Sequence, residues 1–371
     1  MSGLYLGLMS GTSIDGIDAV IAEFEAGRLV KFHAAHHHNY PAALRARLIE
    51  LSLDQPEISM REFCTLDVEI GLSFAAAARE VISRSGVPAG AITAIGSHGQ
   101  TLFHDGPRGL TLQLGDPNRI AAATGITTVA DFRRIDLALG GQGAPLVPAF
   151  HHAMFAHARE SRCVLNLGGI ANITVLPGSG LEGVIGFDTG PANGLMDEWV
   201  QACSGLAFDA EGTFAASGSA DEELIAALLS EPYFARPAPK STGRDYFRLD
   251  WVRSLYPPIE TLRAEDVQAS LAAVTARSVA NAIKAAAPGA ARLIVCGGGV
   301  GNTLLLRLIG DALPDVVVES SSQHGLAPEW IEATAFAWLA MRRIEGKPGN
   351  LPAVTGASRL SPLGCVVLPP R

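Results

Sequence analysis

The segment GLMSGTSIDGIDAV, residues 7–20, places two serines, a threonine, two aspartates and three glycines between two apolar stretches. Small residues in a turn leave backbone N–H groups open to an anion, and neighbouring hydroxyl groups add donors. Three interpretations are open for this turn. It is an ordinary hairpin turn, a loop that carries a covalent nucleophile, or a cradle for phosphate, and the rest of the chain must distinguish among them.

Three more glycine-rich turns follow segments that the pattern predicts as strands. They lie within RCVLNLGGIANITVLPG (162–178), VIGFDTGPANGLMDEWVQACSG (184–205) and ARLIVCGGGVGNTLLLRLIG (291–310). Two common nucleotide signatures are missing from the sequence. Pro348 follows the pair Gly346–Lys347, which excludes the P-loop pattern, and Asn302 stands where the last glycine of GxGxxG belongs. The repetition therefore favours a phosphate site of another kind.

These turns must be positioned by the elements around them. Segments rich in valine, isoleucine and leucine alternate with alanine-rich segments of helical period, which predicts an α/β protein. Strands are expected at 4–9, 19–24, 94–97 and 127–130, and helices at 44–53, 63–85 and 117–125. Glycines in 137–148 suit a hinge. We expect two related lobes, each opening with a hairpin, and a ligand between them where strand ends converge.

The predicted domain boundaries follow from this pattern. The first lobe comprises residues 1–136 and 350–371, because the short apolar segment 363–370 is expected to return to it as a strand. The second lobe comprises residues 137–349. A chain of 371 residues is long enough for two domains.

Composition restricts the function further. The net charge is −9 and no run of lysine and arginine dominates a segment, which argues against nucleic acid or an anionic membrane surface as partner. The five cysteines are widely spaced without a CxxC pair, so reduced thiols are expected. No basic signal segment and no apolar run of ~18 residues occurs. These features predict a soluble, cytoplasmic protein.

Nine motifs in collinear order identify a family. They are GLMSGTSIDGID (7–18), IGSHGQT (95–101), LQLGDP (112–117), VADFRRID (129–136), GGQGAPLVP (140–148), NLGGIANIT (166–174), GFDTGPAN (186–193), PKSTGRDYF (239–247) and VCGGGVGN (295–302). With these motifs the chain resembles the anhydro-N-acetylmuramic acid kinase family. One departure is Ala192, where the family usually has glycine.

The resemblance implies a fold and a reaction. The fold is the two-lobed actin-like ATPase fold shared by sugar kinases, Hsp70 and actin, with related α/β domains around a central nucleotide cleft. The family uses ATP and Mg²⁺ to open the 1,6-anhydro ring of 1,6-anhydro-N-acetylmuramic acid and to phosphorylate O6. The product is N-acetylmuramic acid 6-phosphate, an intermediate of peptidoglycan recycling. The resemblance also implies a homodimer.

Two carboxylates match catalytic positions of the family. Asp188 matches the aspartate that deprotonates the attacking water, and its alternative role is to cap the helix that begins near Pro191. Glu332 matches a glutamate that assists near the sugar. Its alternative is an ordinary acidic residue in a first helical turn, where the helix dipole favours negative charge.

The resemblance also assigns binding residues. Those for the nucleotide are Gly11, Thr12, Ser13, Ile14, Asp15, Gly16, Ile17, Asp18, Gly168, Gly169, Gly297, Gly298 and Gly299, with Asp15 and Asp18 as water-mediated magnesium ligands. Those for the sugar are Ser97, His98, Gly99, Gln100, Thr101, Asp131 and Arg133. Arg133 or Arg134 is expected either to bind the lactyl carboxylate or to form an ion pair at a domain interface.

Alternative functions stay open at this point. One is a kinase for another anhydro sugar or a hexose. A second is a nucleotide-switched binding module, and a third is a hydrolase that opens the anhydro ring without ATP. The run His36–His38 predicts a solvated extended segment rather than a metal site, because neighbouring side chains alternate between faces.

Overall fold

A computed structural model of the chain describes residues 2–243 and 245–370. The chain divides into two compact units. Unit 1 runs up to Met154 and resumes at Trp330, and unit 2 is Phe155–Glu329. Residues 137–154 and 330–349, which the sequence analysis placed in the second lobe, thus belong to unit 1. Met1 and Arg371, the ends of the predicted first lobe, lie outside the described residues.

The described residues form twelve strands and fourteen α-helices. The strands are β1 (Gly3–Ser10), β2 (Ile17–Glu25), β3 (Arg28–His38), β4 (Ile92–Asp105), β5 (Leu110–Leu114), β6 (Thr128–Ala130), β7 (Ser161–Leu167), β8 (Ile170–Leu176), β9 (Ile185–Pro191), β10 (Ala290–Cys296), β11 (Val317–Ser320) and β12 (Cys365–Val367). The helices are α1 (Ala42–Asp54), α2 (Met60–Ser85), α3 (Pro117–Thr124), α4 (Arg134–Ala138), α5 (Val147–Phe155), α6 (Asn193–Ser204), α7 (Thr213–Ala216), α8 (Glu222–Leu229), α9 (Pro232–Ala235), α10 (Leu249–Leu255), α11 (Ala264–Ala286), α12 (Thr303–Ala312), α13 (Ile331–Ile344) and α14 (Pro352–Thr355).

Five strands follow the same order in the two sheets. In unit 1 the order is β12-β6-β4-β1-β2-β3, with β5 paired to β4, and in unit 2 it is β11-β10-β7-β8-β9. Each sheet begins with three antiparallel strands, and two further strands then run parallel to the first. The prediction of two related α/β units, each opening with a hairpin, is confirmed. Strand β12 pairs with β6, so the chain does return to unit 1 at its C-terminal end.

Local sequence explains several element boundaries. Helix α2 begins one turn before the predicted start because the Ser59 side chain accepts a hydrogen bond from the backbone N–H of Glu62. It ends at Gly86, whose φ of 69° is the left-handed conformation that glycine adopts without strain. Helix α11 is not predicted from the sequence pattern; its residues 267–276 are buried at every position, so burial there is not confined to one face. No helix within 2–243 and 245–370 is long and apolar enough to cross a membrane.

Helix α13 lies in close backbone contact with the sheet of unit 1. A Cβ atom on Gly7 of β1 would overlap the carbonyl oxygen of Ala333, and one on Gly96 of β4 would overlap the carbonyl oxygen of Phe336. Only glycine allows a helix backbone to lie this near a strand. The contact explains why residues 330–349 belong to unit 1, and it places the first turn of α13 beside Gly7 in the middle of β1.

The contact predicts that Gly96→Ala destabilises the protein by about 2–3 kcal/mol, because the added methyl group forces the helix away from the sheet. Urea unfolding followed by circular dichroism measures this as a lower midpoint. Gly90→Ala is the matched control, since a Cβ atom there meets no atom within 4 Å. Equal midpoints for the two variants would contradict the inferred role of the contact.

Candidate active site

The hairpin between β1 and β2 exposes its polar side chains and buries its apolar ones. Thr12, Ser13 and Asp15 are exposed, whereas the side chains of Ile14 and Ile17 are 1% and 0% exposed. Ile14 has a φ of 55°, which is unusual for a β-branched residue. Burial of its side chain holds the turn in one conformation, which leaves Thr12 and Ser13 open to solvent.

Three side chains anchor this hairpin within unit 1. The Ser10 hydroxyl lies 2.8 Å from the carbonyl oxygen of Gly16 and 2.6 Å from Oε1 of Gln100. Nε2 of Gln100 donates to the carbonyl oxygen of Gly11 at 3.2 Å. Nε of Arg45 donates to the carbonyl oxygen of Ile14 at 2.9 Å. Gln100 is fully buried and holds the hairpin from the adjacent strand β4.

The two aspartates of the hairpin differ in their surroundings. Oδ1 of Asp18 lies 2.7 Å from Nδ1 of His37 on β3. Oδ1 of Asp15 lies 3.5 Å from Nη2 of Arg45, and the Asp15 side chain is 66% exposed. In the described part of the chain, no three side chains of the metal-ligating types come together. Each of the two hairpin carboxylates thus lies beside a basic side chain.

Glu332 lies in the first turn of α13, which the glycine contact holds against the sheet. Burial raises the pKa of this carboxyl group, and the negative charge of Asp18 raises it further. The positive charge of Arg133 opposes both effects. The structure thus brings Glu332, Asp18 and Arg133 into one electrostatic neighbourhood, although they are far apart in the sequence.

The adjacent arginines Arg133 and Arg134 have different environments. Arg133 is half-buried; its Nη1 donates to the carbonyl oxygen of Gly143 and its Nη2 lies 2.8 Å from Nε2 of His98. Burial lowers the pKa of Arg133 to about 10. Arg134 is exposed and lies 3.3 Å from Oδ2 of Asp131. Of the two, Arg133 is the one that unit 1 holds in place.

The segment Ser97–Thr101, expected near the sugar, lies along β4 and is largely buried. The side chains of Ser97 and His98 are 1% and 5% exposed. Gly99 has a φ of 73°, and a Cβ atom there would meet the carbonyl oxygen of Leu114 at 2.7 Å. Oγ1 of Thr101 accepts a hydrogen bond from Gln113. These contacts fix the backbone of the strand within unit 1.

In unit 2, Asp188 is held at three points on β9. Its Oδ2 accepts a hydrogen bond from the backbone N–H of Thr242 at 2.9 Å. Its backbone N–H donates to the carbonyl oxygen of Lys240, and its carbonyl oxygen accepts from the Tyr233 hydroxyl. Burial raises the pKa of the carboxyl group from 3.8 to about 6, against the opposing effect of the Thr242 N–H. Such a group is a suitable proton acceptor near neutral pH.

Asp188 does not cap the following helix. The N-cap of α6 is Ala192, and no side chain caps it. The first N–H groups of this helix donate instead to the carbonyl oxygens of Gly168 and Gly169 in the β7–β8 turn. The capping alternative is therefore wrong, because the turn of the neighbouring hairpin satisfies these donors.

The glycine cluster after β10 has a different environment at each position. Gly297 has a φ of 83°, and a side chain there would overlap Asn166. Gly299 is buried, and a Cβ atom there would meet Cβ of Leu167 at 2.5 Å. Gly298 is exposed, and a Cβ atom there would meet no atom within 4 Å. The first and third glycines thus allow close packing, and the middle one leaves backbone open to a ligand.

The residues that hold Asp188 are not identified by the sequence motifs. Nζ of Lys240 donates to the carbonyl oxygens of Tyr233 and Phe234 and lies 4.7 Å from the Tyr233 ring centre. The Phe247 ring also packs on Tyr233, at 5.4 Å between centroids. In the sequence, the aromatic residues near 233 and 247 are the signal for the cluster that holds Asp188. The motif 239–247 also contains Arg244, which lies outside the described residues.

Two α/β units with the same order of five strands place glycine-rich turns at strand ends, and unit 2 adds a carboxylate whose pKa burial raises. These features are typical of a phosphotransferase. The chain belongs to the anhydro-N-acetylmuramic acid kinase family, whose family model matches residues 3–369. The predicted family and fold class are confirmed.

Similar proteins cover nearly the whole chain. The anhydro-N-acetylmuramic acid kinase of Xylella fastidiosa is 50% identical over 367 residues, which are 98% of this chain and 96% of that protein. The protein of the same name from Xanthomonas campestris pv. campestris is 50% identical over 369 residues, 98% of this chain and 97% of that protein. Among solved structures, the activator of the 2-hydroxyisocaproyl-CoA dehydratase from Clostridium difficile with bound ADPNP has a TM-score of 0.45 and 11% identity, and the match covers 93% of this chain and 96% of that one.

The raised pKa of Asp188 predicts a pH-dependent cost in stability. Because the folded pKa of about 6 exceeds the ordinary value of 3.8, the folded state loses stability as pH rises through this window. Asp188→Asn removes the charge, so we expect it to stabilise the protein by about 1–2 kcal/mol at pH 8, less than the full shift because the side chain is half-buried.

Thermal and urea unfolding at pH 8 and at pH 4 measure this difference, which is expected to vanish at the lower pH. Asp315→Asn, at an exposed turn position, is the control. A variant at Asp188 that is no more stable than the wild type at pH 8 would show that burial does not penalise this carboxylate.

Proposed function

We propose that the chain phosphorylates O6 of 1,6-anhydro-N-acetylmuramic acid with ATP while water opens the anhydro ring, which gives N-acetylmuramic acid 6-phosphate for cell-wall recycling. Family membership supports this reaction. The observation that carries it in the structure is Asp188, a half-buried carboxylate with a pKa of about 6 and one oxygen held by the Thr242 N–H.

In the proposed mechanism, Asp188 is the general base. It accepts a proton from water as the water oxygen forms a bond to C1 of the sugar. The C1–O6 bond breaks, and its electron pair stays on O6, which forms a bond to the γ-phosphorus as the bond between phosphorus and the ADP oxygen breaks. A pKa of about 6 keeps most of the carboxyl groups ionised at neutral pH, yet makes them stronger bases than an ordinary aspartate.

On the sugar side we assign Arg133 to the lactyl carboxylate and Glu332 to a position beside the sugar. A guanidinium fork matches a carboxylate, and Gly143 and His98 hold Arg133 in place. Arg134 is the weaker candidate because it already lies beside Asp131. Ser97–Thr101 and Asp131 complete the proposed sugar side.

For the nucleotide we assign the phosphates to residues 11–18 and to the turns at Gly168–Gly169 and Gly297–Gly299. The exposed hydroxyls of Thr12 and Ser13 and the open backbone at Gly298 support this assignment. Asp15 and Asp18 would hold Mg²⁺ through water, and the repulsion between Asp18 and Glu332 fits a cation nearby. Such a cation neutralises phosphate charge. A homodimer and a cytoplasmic location belong to the same proposal.

The test of the reaction is incubation with ATP, Mg²⁺ and 1,6-anhydro-N-acetylmuramic acid in ¹⁸O-labelled water. We expect one ¹⁸O atom at C1 and phosphate on O6 of the same product molecule, read by mass spectrometry. Ring opening without ATP would support the hydrolase alternative. ATP turnover that does not depend on the sugar would support the nucleotide-switched module, and either result would overturn the proposal.

The proposed base predicts the behaviour of Asp188→Asn in the same assay. Turnover is expected to fall by ~10²–10⁴-fold because the amide cannot accept the proton, while nucleotide affinity is unchanged. Isothermal titration calorimetry with an ATP analogue measures the affinity. Asp315→Asn serves again as the control, with wild-type turnover expected. Near wild-type activity of the variant would remove Asp188 from its role.

A further inference from the structure

A buried histidine lies directly against the sugar-side arginine. Nε2 of His98 is 2.8 Å from Nη2 of Arg133, and the His98 side chain is 5% exposed. A guanidinium carries only donors, so the histidine nitrogen that faces it must be the acceptor. His98 is therefore neutral, and its proton is on Nδ1.

The surroundings of His98 keep its imidazole neutral. Burial lowers the pKa of the imidazole to about 3, and the positive charge of Arg133 lowers it in the same direction. His104 on the same strand has a weaker effect of the same sign. The Phe336 ring of α13 packs on the imidazole with 4.7 Å between centroids, which restricts rotation of the ring. The nitrogen that faces Arg133 is thus kept in one orientation.

His98 also lies between two parts of unit 1. Its neighbour Arg133 shares an electrostatic neighbourhood with Glu332, and the backbone of Ser10, which immediately precedes the hairpin, faces the same imidazole. Strands β1 and β4 are paired side by side at this point, with Leu8 opposite Ser97. A single rigid ring therefore contacts both the arginine and the strand that leads into the hairpin.

We propose that His98 is a positioning residue: as a neutral acceptor at Nε2 it holds the Arg133 guanidinium in register with Glu332 and with the β1–β2 hairpin. The family resemblance implies that His98 contacts the sugar, whereas in this proposal it acts on the sugar through Arg133. Its effect on catalysis rests on the proposed function, since it requires Arg133 to bind the substrate carboxylate. The neutral state of His98 and its contact with Arg133 do not depend on the proposed function.

Nuclear magnetic resonance tests the contact without any substrate. In full-length protein labelled with ¹⁵N-histidine, long-range ¹H–¹⁵N spectra distinguish the two neutral tautomers, and the H98Q variant assigns the signal. We expect His98 to show a bare Nε2 and a protonated Nδ1, unchanged between about pH 5 and 8 where free histidine titrates. A His98 signal that titrates in this range, or that shows a protonated Nε2, would overturn the proposal.

Kinetics test the consequence for the sugar. His98→Leu removes the acceptor, and we expect the KM for the sugar to rise ~10-fold while the KM for ATP stays unchanged. His98→Gln offers a carbonyl acceptor in its place and is expected to restore most of the affinity. His157→Gln, at a partly exposed histidine in unit 2, is the control. A purely structural role would raise both KM values or lower the unfolding midpoint, and glutamine would not rescue it.

The outcomes separate this proposal from the proposed function. Absence of any sugar phosphorylation by the wild type would overturn the proposed function, and the spectra would still decide the state of His98. Phosphorylation with an unchanged sugar KM in a folded H98L variant would overturn the positioning role alone. If the leucine variant does not fold, the spectra and the H98Q variant still decide whether His98 positions Arg133.

Discussion

The close approach of α13 to the sheet of unit 1 is the contact on which the arrangement in that unit depends. Gly7 and Gly96 have no Cβ atom where the carbonyl oxygens of Ala333 and Phe336 lie. The helix therefore meets the strands backbone to backbone, and Glu332 in its first turn reaches the neighbourhood of Asp18 and Arg133. One turn further along, Phe336 packs on both His98 and Phe132. The same two glycines thus set the place of an acidic group and the orientation of a histidine.

Burial then tunes the charged groups that this packing brings together. It raises the pKa values of Asp188 in unit 2 and of Glu332 in unit 1, and it lowers those of Arg133 and His98. In each case the charged form is disfavoured by loss of water, and specific neighbours oppose or strengthen the effect. Groups kept in such a state cost stability, as is common at active sites. Asp188 keeps its orientation because backbone and aromatic groups around β9 hold it at three points.

Much of the fold follows from short-range pattern. The apolar stretches around residues 4–9 and 19–24 predict the first hairpin, and the period of Leu66, Ile70 and Phe74 predicts the helix that contains them. The boundary between the units does not follow, because it depends on α13 packing back onto β1 and β4 across more than two hundred residues of chain. Helix α11 is also not predicted; the continuous burial of its residues 267–276 depends on the folded unit around it.

For the site, the order of residues is enough to show which chemical groups are present: the small residues of the hairpin, the carboxylates Asp188 and Glu332, the arginine pair and the family to which these motifs belong. Each motif is a short stretch of sequence, so it can be recognised without knowledge of the folded structure. The role of each group depends on the folded chain. Folding buries Gln100 against the hairpin, separates Arg133 from Arg134, supplies Asp188 with partners from residues 233–242, and sets His98 against a guanidinium. Those outcomes depend on burial and on contacts between distant segments, and neither quantity can be read from a local motif.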